Sequence, residues 1–253
     1  MRVPKLRFLM TPASHLHYLA WRAVPFSPSI NISLKSGAKL CLRKLPSTDP
    51  GIAYEVFAAE LYRGPWVPAQ NSVNRVNRIM DVGANVGISV VYWAHRYPAA
   101  RVDAYEPHPV HLAMLEAHLK LNRIGARVTV HPVAVGTSAR IAWLTDDQGS
   151  SRIENSGAAG FSVRVVDFFE TLGADRVDLL KMDIEGAEYA IFMDERFSKV
   201  DVGSIAFEWH NYPPHLDADA QIFRRLRQLG WHTAYGSCGA DKRGKVGIGY
   251  ACR

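Results

Sequence analysis

No apolar run in this chain of 253 residues approaches the roughly 18 that would suggest a membrane span. Pro4, Pro12 and Pro25, with His15 and His17, interrupt the first 26 residues, so no targeting segment is read there and a cytoplasmic location is the expectation. Cysteine is scarce. Cys41, Cys238 and Cys252 have no partner at the spacing of a zinc site, and their odd number argues against a disulfide framework. Acid is missing from the start of the chain: residues 1–48 carry eight Lys and Arg and no Asp or Glu. The net charge of +6 therefore belongs to this lead, and the remainder is close to neutral. Such a lead is weak support for a nucleic-acid partner. Its basic, aromatic stretch "KLRFLMTPASHLHYLAWR" reads as a helix and loop packed on the main body, with peripheral membrane contact as the alternative. There is no internal repeat and no low-complexity tract, and 48% hydrophobic residues against 21% charged suit a soluble, well-packed core.

What is present divides at about residue 77. In the lead, "INISLKSGAKLCLR" (30–43) alternates Ile30, Ile32 and Leu34, turns at Ser36-Gly37 and resumes with Leu40 and Leu42, which predicts a hairpin. "TDPGIAYEVFAAELY" predicts a helix with Asp49 as N-cap and Pro50 at its first position. Residues 64–78 form a connector. From 78 to 253 strand and helix patterns alternate, with strands expected at 78–83, 101–106, 127–133, 177–183 and 202–209. Helices are expected at 86–96, 109–122, 187–195 and 217–229. Added strands are expected at 140–145 and 161–166, and the tail reads as an antiparallel pair joined by a Gly-rich turn. This alternation predicts a doubly wound, mostly parallel sheet with helices on both faces. Its ligands belong just beyond the carboxyl ends of the strands.

Chemistry-bearing residues fall at those ends. The first strand runs into Asp81, Gly83, Asn85 and Gly87, a turn whose glycines admit positive φ and close approach of a ligand. The second ends at Glu106, 23 residues after Gly83, where a carboxylate suits a pair of ribose hydroxyls. A dinucleotide turn would place a glycine at position 85 and another at 88, which hold Asn85 and Ile88. Asp81 would repel a pyrophosphate and welcome a cation. No Gly-Lys-Ser/Thr follows, which excludes a Walker loop. The fourth strand ends in "LLKMDIEGAEYAIF", putting Asp183 and Glu185 in one turn and Glu188 in the first turn of the next helix, where capping suffices to explain it. The fifth ends in "SIAFEWHNYPP", with Glu208 and His210 on one face and Trp209 opposite.

"MDVGANVGISV", "AYEPHP", "VAVG", "VDLLKMDIEGAEYAIF" and "IAFEWH" together resemble the FkbM-type class I methyltransferases, over roughly residues 30–235. The resemblance implies a seven-stranded Rossmann-like sheet with a terminal antiparallel strand. It also implies S-adenosylmethionine as cofactor and O-methylation of a sugar, polyketide or related hydroxylated metabolite. It places Asp81, Gly83, Asn85, Gly87 and Glu106 around the cofactor, with Asp183 near its methionine end. An alkyl hydroxyl must lose its proton during attack, and His210, oriented by Glu208 or another carboxylate, is the expected general base, with Asp183 as runner-up. No metal is assigned; a second version places Mg²⁺ or Mn²⁺ among Asp183, Glu185, Glu208 and His210. Two other classes stay open. A nucleic-acid methyltransferase is suggested by the basic lead and Asn211-Tyr212-Pro213-Pro214, although the motif is in the wrong order and on the wrong strand. A non-catalytic adenosyl-binding module would leave Asp183, Glu185 and His210 without a task. Acceptor specificity is expected from the lead and from the inserts 146–160 and 211–220. One chain's sequence does not speak to oligomeric state.

Overall fold

The computed structural model describes residues 6–24, 27–44, 47–65, 76–145, 152–154, 160–240 and 244–253. Most of the predicted connector, most of the insert 146–160 and the tip of the terminal hairpin lie outside them. Helix α1 (Pro12–Ala23) opens on Thr11, whose side chain accepts from Ser14 N–H, and lays Tyr18 and Trp21 against the hairpin β1 (Ser29–Ser33) and β2 (Lys39–Arg43). The hairpin follows the predicted alternation, with Ile30, Ile32, Leu34, Leu40 and Leu42 all buried. Helix α2 (Asp49–Phe57) follows, but Asp49 does not cap it. Thr48 holds the cap position, and the Asp49 carboxylate is drawn instead to Arg43, accepting from its backbone N–H and its guanidinium at 2.8–3.0 Å.

The body then alternates: β3 (Arg78–Val82), α3 (Ile88–Arg96), β4 (Arg101–Tyr105), α4 (Pro109–Asn122) and β5 (Val128–His131). After β6 (Ala134–Gly136), β7 (Arg140–Thr145), β8 (Arg152–Glu154) and β9 (Phe161–Asp167) come α5 (Phe168–Leu172), β10 (Val177–Met182) and α6 (Glu188–Met193). The chain closes with β11 (Val202–Asn211), α7 (Ala218–Gln228), β12 (His232–Ala240) and β13 (Lys245–Cys252). Seven strands form the main sheet in the order β12-β13-β11-β10-β3-β4-β5. All neighbours are parallel except around β13, which runs antiparallel to both β11 and β12. The predicted added strands leave this sheet. They pair as a separate four-stranded sheet, β6-β9-β7-β8, because the expected strand at 127–133 ends at His131 and the chain then turns away. The helix expected at 187–195 stops at Met193, since Asp194 is extended and its side chain caps a following 3₁₀ turn, Glu195–Lys199.

Residues on the two faces of each strand enter different cores, as a sheet covered on both sides requires. Ile79, Val102, Leu179 and Ala206 join α3, α4 and the lead. Met80, Tyr105, Leu180 and Phe207 join α5, α6 and α7. The chain leaves β3 toward β4 on one side and β10 toward β11 on the other, so strand order reverses between β3 and β10. Their carboxyl ends, at Gly83 and Asp183, are the switch point at which such sheets bind ligands.

Candidate active site

The turn after β3 is wound by three residues at positive φ: Gly83 at 81°, Asn85 at 50° and Gly87 at 83°. At Gly83 a side chain would be doubly excluded, because a Cβ there would fall on the carbonyl oxygen of Asp183. The Gly83 and Ala84 N–H groups both donate to the Tyr105 carbonyl, so β3 and β4 are tied where they end. Asn85 N–H donates to Glu106 Oε2 at 2.8 Å, and His108 N–H donates to Glu106 Oε1 at 2.8 Å. Two backbone amides thus fix the Glu106 carboxylate and leave each oxygen a further lone pair.

Asp81 lies beneath this turn and not in it. It is fully buried, with Lys181 Nζ at 3.4 Å, and burial raises its pKa against the opposing pull of Lys181 and Ser89. Lys181 carries the arrangement. Its ammonium donates to the Gly83 carbonyl, stands 3.6 Å from Asp183 and lies over the Tyr62 ring. Burial opposes its charge, but Asp81, Asp183 and Glu208 outweigh burial and raise its pKa.

Asp183 accepts from the Tyr62 hydroxyl at 2.9 Å, a bond between the lead and the end of β10. Burial works to raise its pKa; Lys181, a hydrogen bond from Glu208 and His210 reverse this and leave it low. Its neighbour behaves oppositely. Burial, and then the Asp183 charge, hold Glu208 well above the carboxylate range, so the pair shares one proton, carried by Glu208. The Tyr62 hydroxyl, raised first by burial and then by Asp183, stays protonated.

The turn after β10 holds Glu185 at φ 58° and Gly186 at φ 104°. Glu188 reaches back to accept from the N–H groups of Ile184 (2.5 Å) and Gly186 (2.7 Å), which fixes that turn. It also stands 3.5 Å from His210 Nδ1, so the residue read as a cap orients the histidine as well. His210 Nε2 lies 3.7 Å from Glu208 and 3.8 Å from Glu185. The expected face is confirmed, with Glu208 and His210 at the cavity and Trp209 in the opposite core. Burial lowers the His210 pKa, but Glu188, Asp183 and Glu185 prevail and lift it to about 9.

Two hollows meet at Gly83, Asn85, Asp183 and Glu185. The smaller, about 70 Å³, is walled by Tyr105, Glu106, Pro107, His111 and residues 133–135. The larger, about 780 Å³, is floored by Lys181, Asp183, Glu208 and His210 and walled by the lead from Tyr18 to Tyr62. Asp183, Glu185 and His210 each bring a ligand atom within 4.8 Å of the others, a set able to hold a metal ion. Sequence reasoning missed Tyr62 and gave Lys181 no role. Lys181 stood inside the quoted Lys-x-Asp segment; Tyr62 had no local signal, because only the tertiary fold brings it to Asp183. Asn211 is committed elsewhere, its side chain bonding Asp219 through both amide atoms at the start of α7.

A doubly wound sheet with both hollows at its switch point defines the class of open α/β proteins that bind ligands beyond the carboxyl ends of their strands. Residues 81–232 match the methyltransferase FkbM domain, more than half of the chain, and the chain belongs to that family. Among similar proteins, Methyltransferase 1 of Beauveria bassiana (strain ARSEF 2860) is 26% identical over 152 residues, 49% of this chain and 61% of that protein. Methyltransferase sdnD of Sordaria araneosa is 27% identical over 150 residues, 45% of this chain and 58% of that protein. The chain thus spans about three-fifths of the length of these curated relatives. The crystal structure of methyltransferase FkbM from Methylobacillus flagellatus KT superposes with a TM-score of 0.52 at 18% identity, covering 79% of this chain and 47% of that one, a likeness of fold.

Proposed function

We propose that this chain is an S-adenosylmethionine-dependent O-methyltransferase acting on a hydroxyl of a small metabolite such as a sugar or polyketide. The observation that carries this reading is the meeting of the two hollows at Gly83, Asn85 and Asp183, with His210 Nε2 on the floor of the larger. The residues present suit the cofactor. Glu106 has lone pairs for ribose hydroxyls, the side-chain-free Gly83 lines both hollows and admits close approach, and the carboxylates around Asp183 favour a cation over a pyrophosphate. The bound cofactor would supply a methyl carbon made electrophilic by its sulfonium.

The chain's own residues do the rest. Asp183, held by Tyr62 and Lys181, provides fixed negative charge beside the glycine turn. His210 takes the proton of the acceptor hydroxyl at Nε2, with Glu188 orienting the ring through Nδ1. Its pKa of about 9 means that the empty site keeps it protonated at neutral pH. It yields that proton more readily once a cationic cofactor shares the carboxylates that stabilise it. Holding acceptor and methyl in line contributes about 7–11 kcal/mol of barrier lowering, the general base about 10²–10⁴ in rate.

Calorimetric titration with S-adenosylmethionine beside a labelled-methyl transfer assay tests the reading. Glu106→Ala is expected to weaken cofactor binding with the fold intact. His210→Ala is expected to keep cofactor affinity and lose about 10²–10⁴ in turnover. Activity that persists in EDTA separates the base from the metal version; binding without transfer to any hydroxylated metabolite would favour the inert module.

A further inference from the structure

The larger cavity has a charge-balanced floor and a cationic end. Its floor holds Asp183, Glu185 and Glu208, and Glu55 of α2 is close enough that Asp183 adds to the burial already raising its pKa. Its other end, built by the lead, carries Arg22, Arg43 and Lys44. Arg43 is neutralised by its two-pronged bond to Asp49. Neither of the other two cations meets a carboxylate among the described residues. Lys44 donates to the carbonyls of Trp21 and Val24 and lies 5.5 Å over the Trp21 ring, contacts that leave its charge uncompensated. Arg22 is exposed and makes neither an ion pair nor a hydrogen bond among the described residues.

These cations are not counter-charges for the floor, whose carboxylates are matched by Lys181 and His210. Beside them opens the first turn of α2. Thr48 lines the cavity without capping its helix, and a Cβ at Gly51 would meet nothing within 4 Å. The N–H groups of that turn are spent, since Pro50 has none and those of Gly51 and Ile52 donate to the Thr48 carbonyl, so the pull on an anion at this end comes from the two cations across open space. Trp21 and Tyr18, with ring centroids 5.8 Å apart, give the same end an apolar wall.

We infer that the lead end of this cavity is an anion subsite, centred on Arg22 with Lys44, and that the methyl acceptor is a hydroxylated metabolite bearing a carboxylate or a phosphate. The inference rests on reading this cavity as the acceptor side of a methyl-transfer site. The lead holds the uncompensated cations and draws the anionic group, while the floor's cations are already engaged by its carboxylates, so the acceptor enters in one orientation, its hydroxyl toward His210. The basic lead then acts as a specificity wall, which a neutral sugar could not exploit.

Inorganic pyrophosphate and malonate are titrated calorimetrically, at low ionic strength, into the wild type, Arg22→Glu and Lys35→Glu. Lys35 belongs to the same lead, is exposed and does not line the cavity, so its reversal controls for net charge. The expected result is that the wild type and Lys35→Glu bind at least one anion alike, while Arg22→Glu loses about tenfold or more in affinity. The tighter anion of the two separates phosphate-bearing from carboxylate-bearing acceptors. Equal binding by wild type and Arg22→Glu overturns the inference, as does the lack of any binding to the wild type up to about 50 mM. S-Adenosylhomocysteine is titrated into the same three preparations and is expected to bind all three equally. Its failure to bind with the anion pattern intact would instead overturn the methyl-transfer reading.

Discussion

At the residue scale, the base role proposed for His210 couples activity to stability. Its folded pKa of about 9 lies above the ordinary 6.5, so folding favours the protonated form. The stabilisation is fully present below about pH 6.5 and is lost as pH rises through 9, an effect on the order of 3 kcal/mol. Melting of the cofactor-free protein across that window should fall more steeply for the wild type than for His210→Gln. Turnover should move the other way, rising with pH as the base loses its proton, and the rise should vanish in the variant. Equal melting slopes in the two proteins would show that the carboxylates around the ring do not hold its proton. Glu188 belongs to the same argument, because its two backbone bonds fix the turn and its Oε2, which accepts from Gly186 N–H, also stands 3.5 Å from His210 Nδ1. Glu188→Gln, which keeps those acceptor positions in part and removes the charge, should lower the pH at which activity rises.

At the element scale, the hairpin is joined to the body through an edge that another strand would otherwise cover. The outer edge of β2 is met by two side chains one turn apart on α4. His118 accepts from Cys41 N–H at 2.9 Å and donates to the Val86 carbonyl at 2.7 Å, while Asn122 bonds both backbone groups of Lys39 at 2.8 Å. Those partners require a neutral ring, and burial lowers its pKa accordingly. This contribution is present above pH 6.5 and is lost as pH falls through the depressed folded value, so the join between lead and body weakens in acid and the whole protein loses stability with it. His118→Ala leaves two backbone groups without partners and should cost roughly 2–4 kcal/mol, read from denaturant midpoints. None of this was legible in the sequence, where His118 is one histidine in an amphipathic helix. The hairpin, the α/β alternation and the acids at the strand ends were legible, because local periodicity and turn chemistry determine them. The tail reads in sequence as an antiparallel pair joined by a Gly-rich turn, which gives Gly247 and Gly249 no role of their own. Gly249 and Gly247 pair with Phe207 and Trp209, and a Cβ at either would strike the ring opposite, so their absence of side chain is a packing requirement set across the sheet.

At the scale of the whole molecule, the division at residue 77 describes the sequence better than the packing. One apolar cluster runs from Leu6, Met10 and Trp21 through Leu40, Leu42 and Val56 into Val86, Ile88, Trp93 and Val102, with no polar layer between lead and body. Polar bonds cross the same boundary: Tyr62 to Asp183, and the Tyr250 hydroxyl to the Leu61 carbonyl at 2.6 Å. A body freed of residues 1–62 would expose the apolar faces of α3 and α4 and lose one wall of the larger cavity together with the donor to Asp183. Contiguous burial of this kind makes unfolding cooperative, whereas separable units melt apart. Scanning calorimetry should therefore give one transition whose calorimetric and van't Hoff enthalpies agree. Trp21→Ala, a lead substitution far from the sheet in sequence, should lower that single transition without splitting it, by roughly 3–5 kcal/mol of stability. Two resolved transitions, with only the first moved by the substitution, would mean that the lead is an appended unit and that the larger cavity opens and closes independently of the smaller hollow.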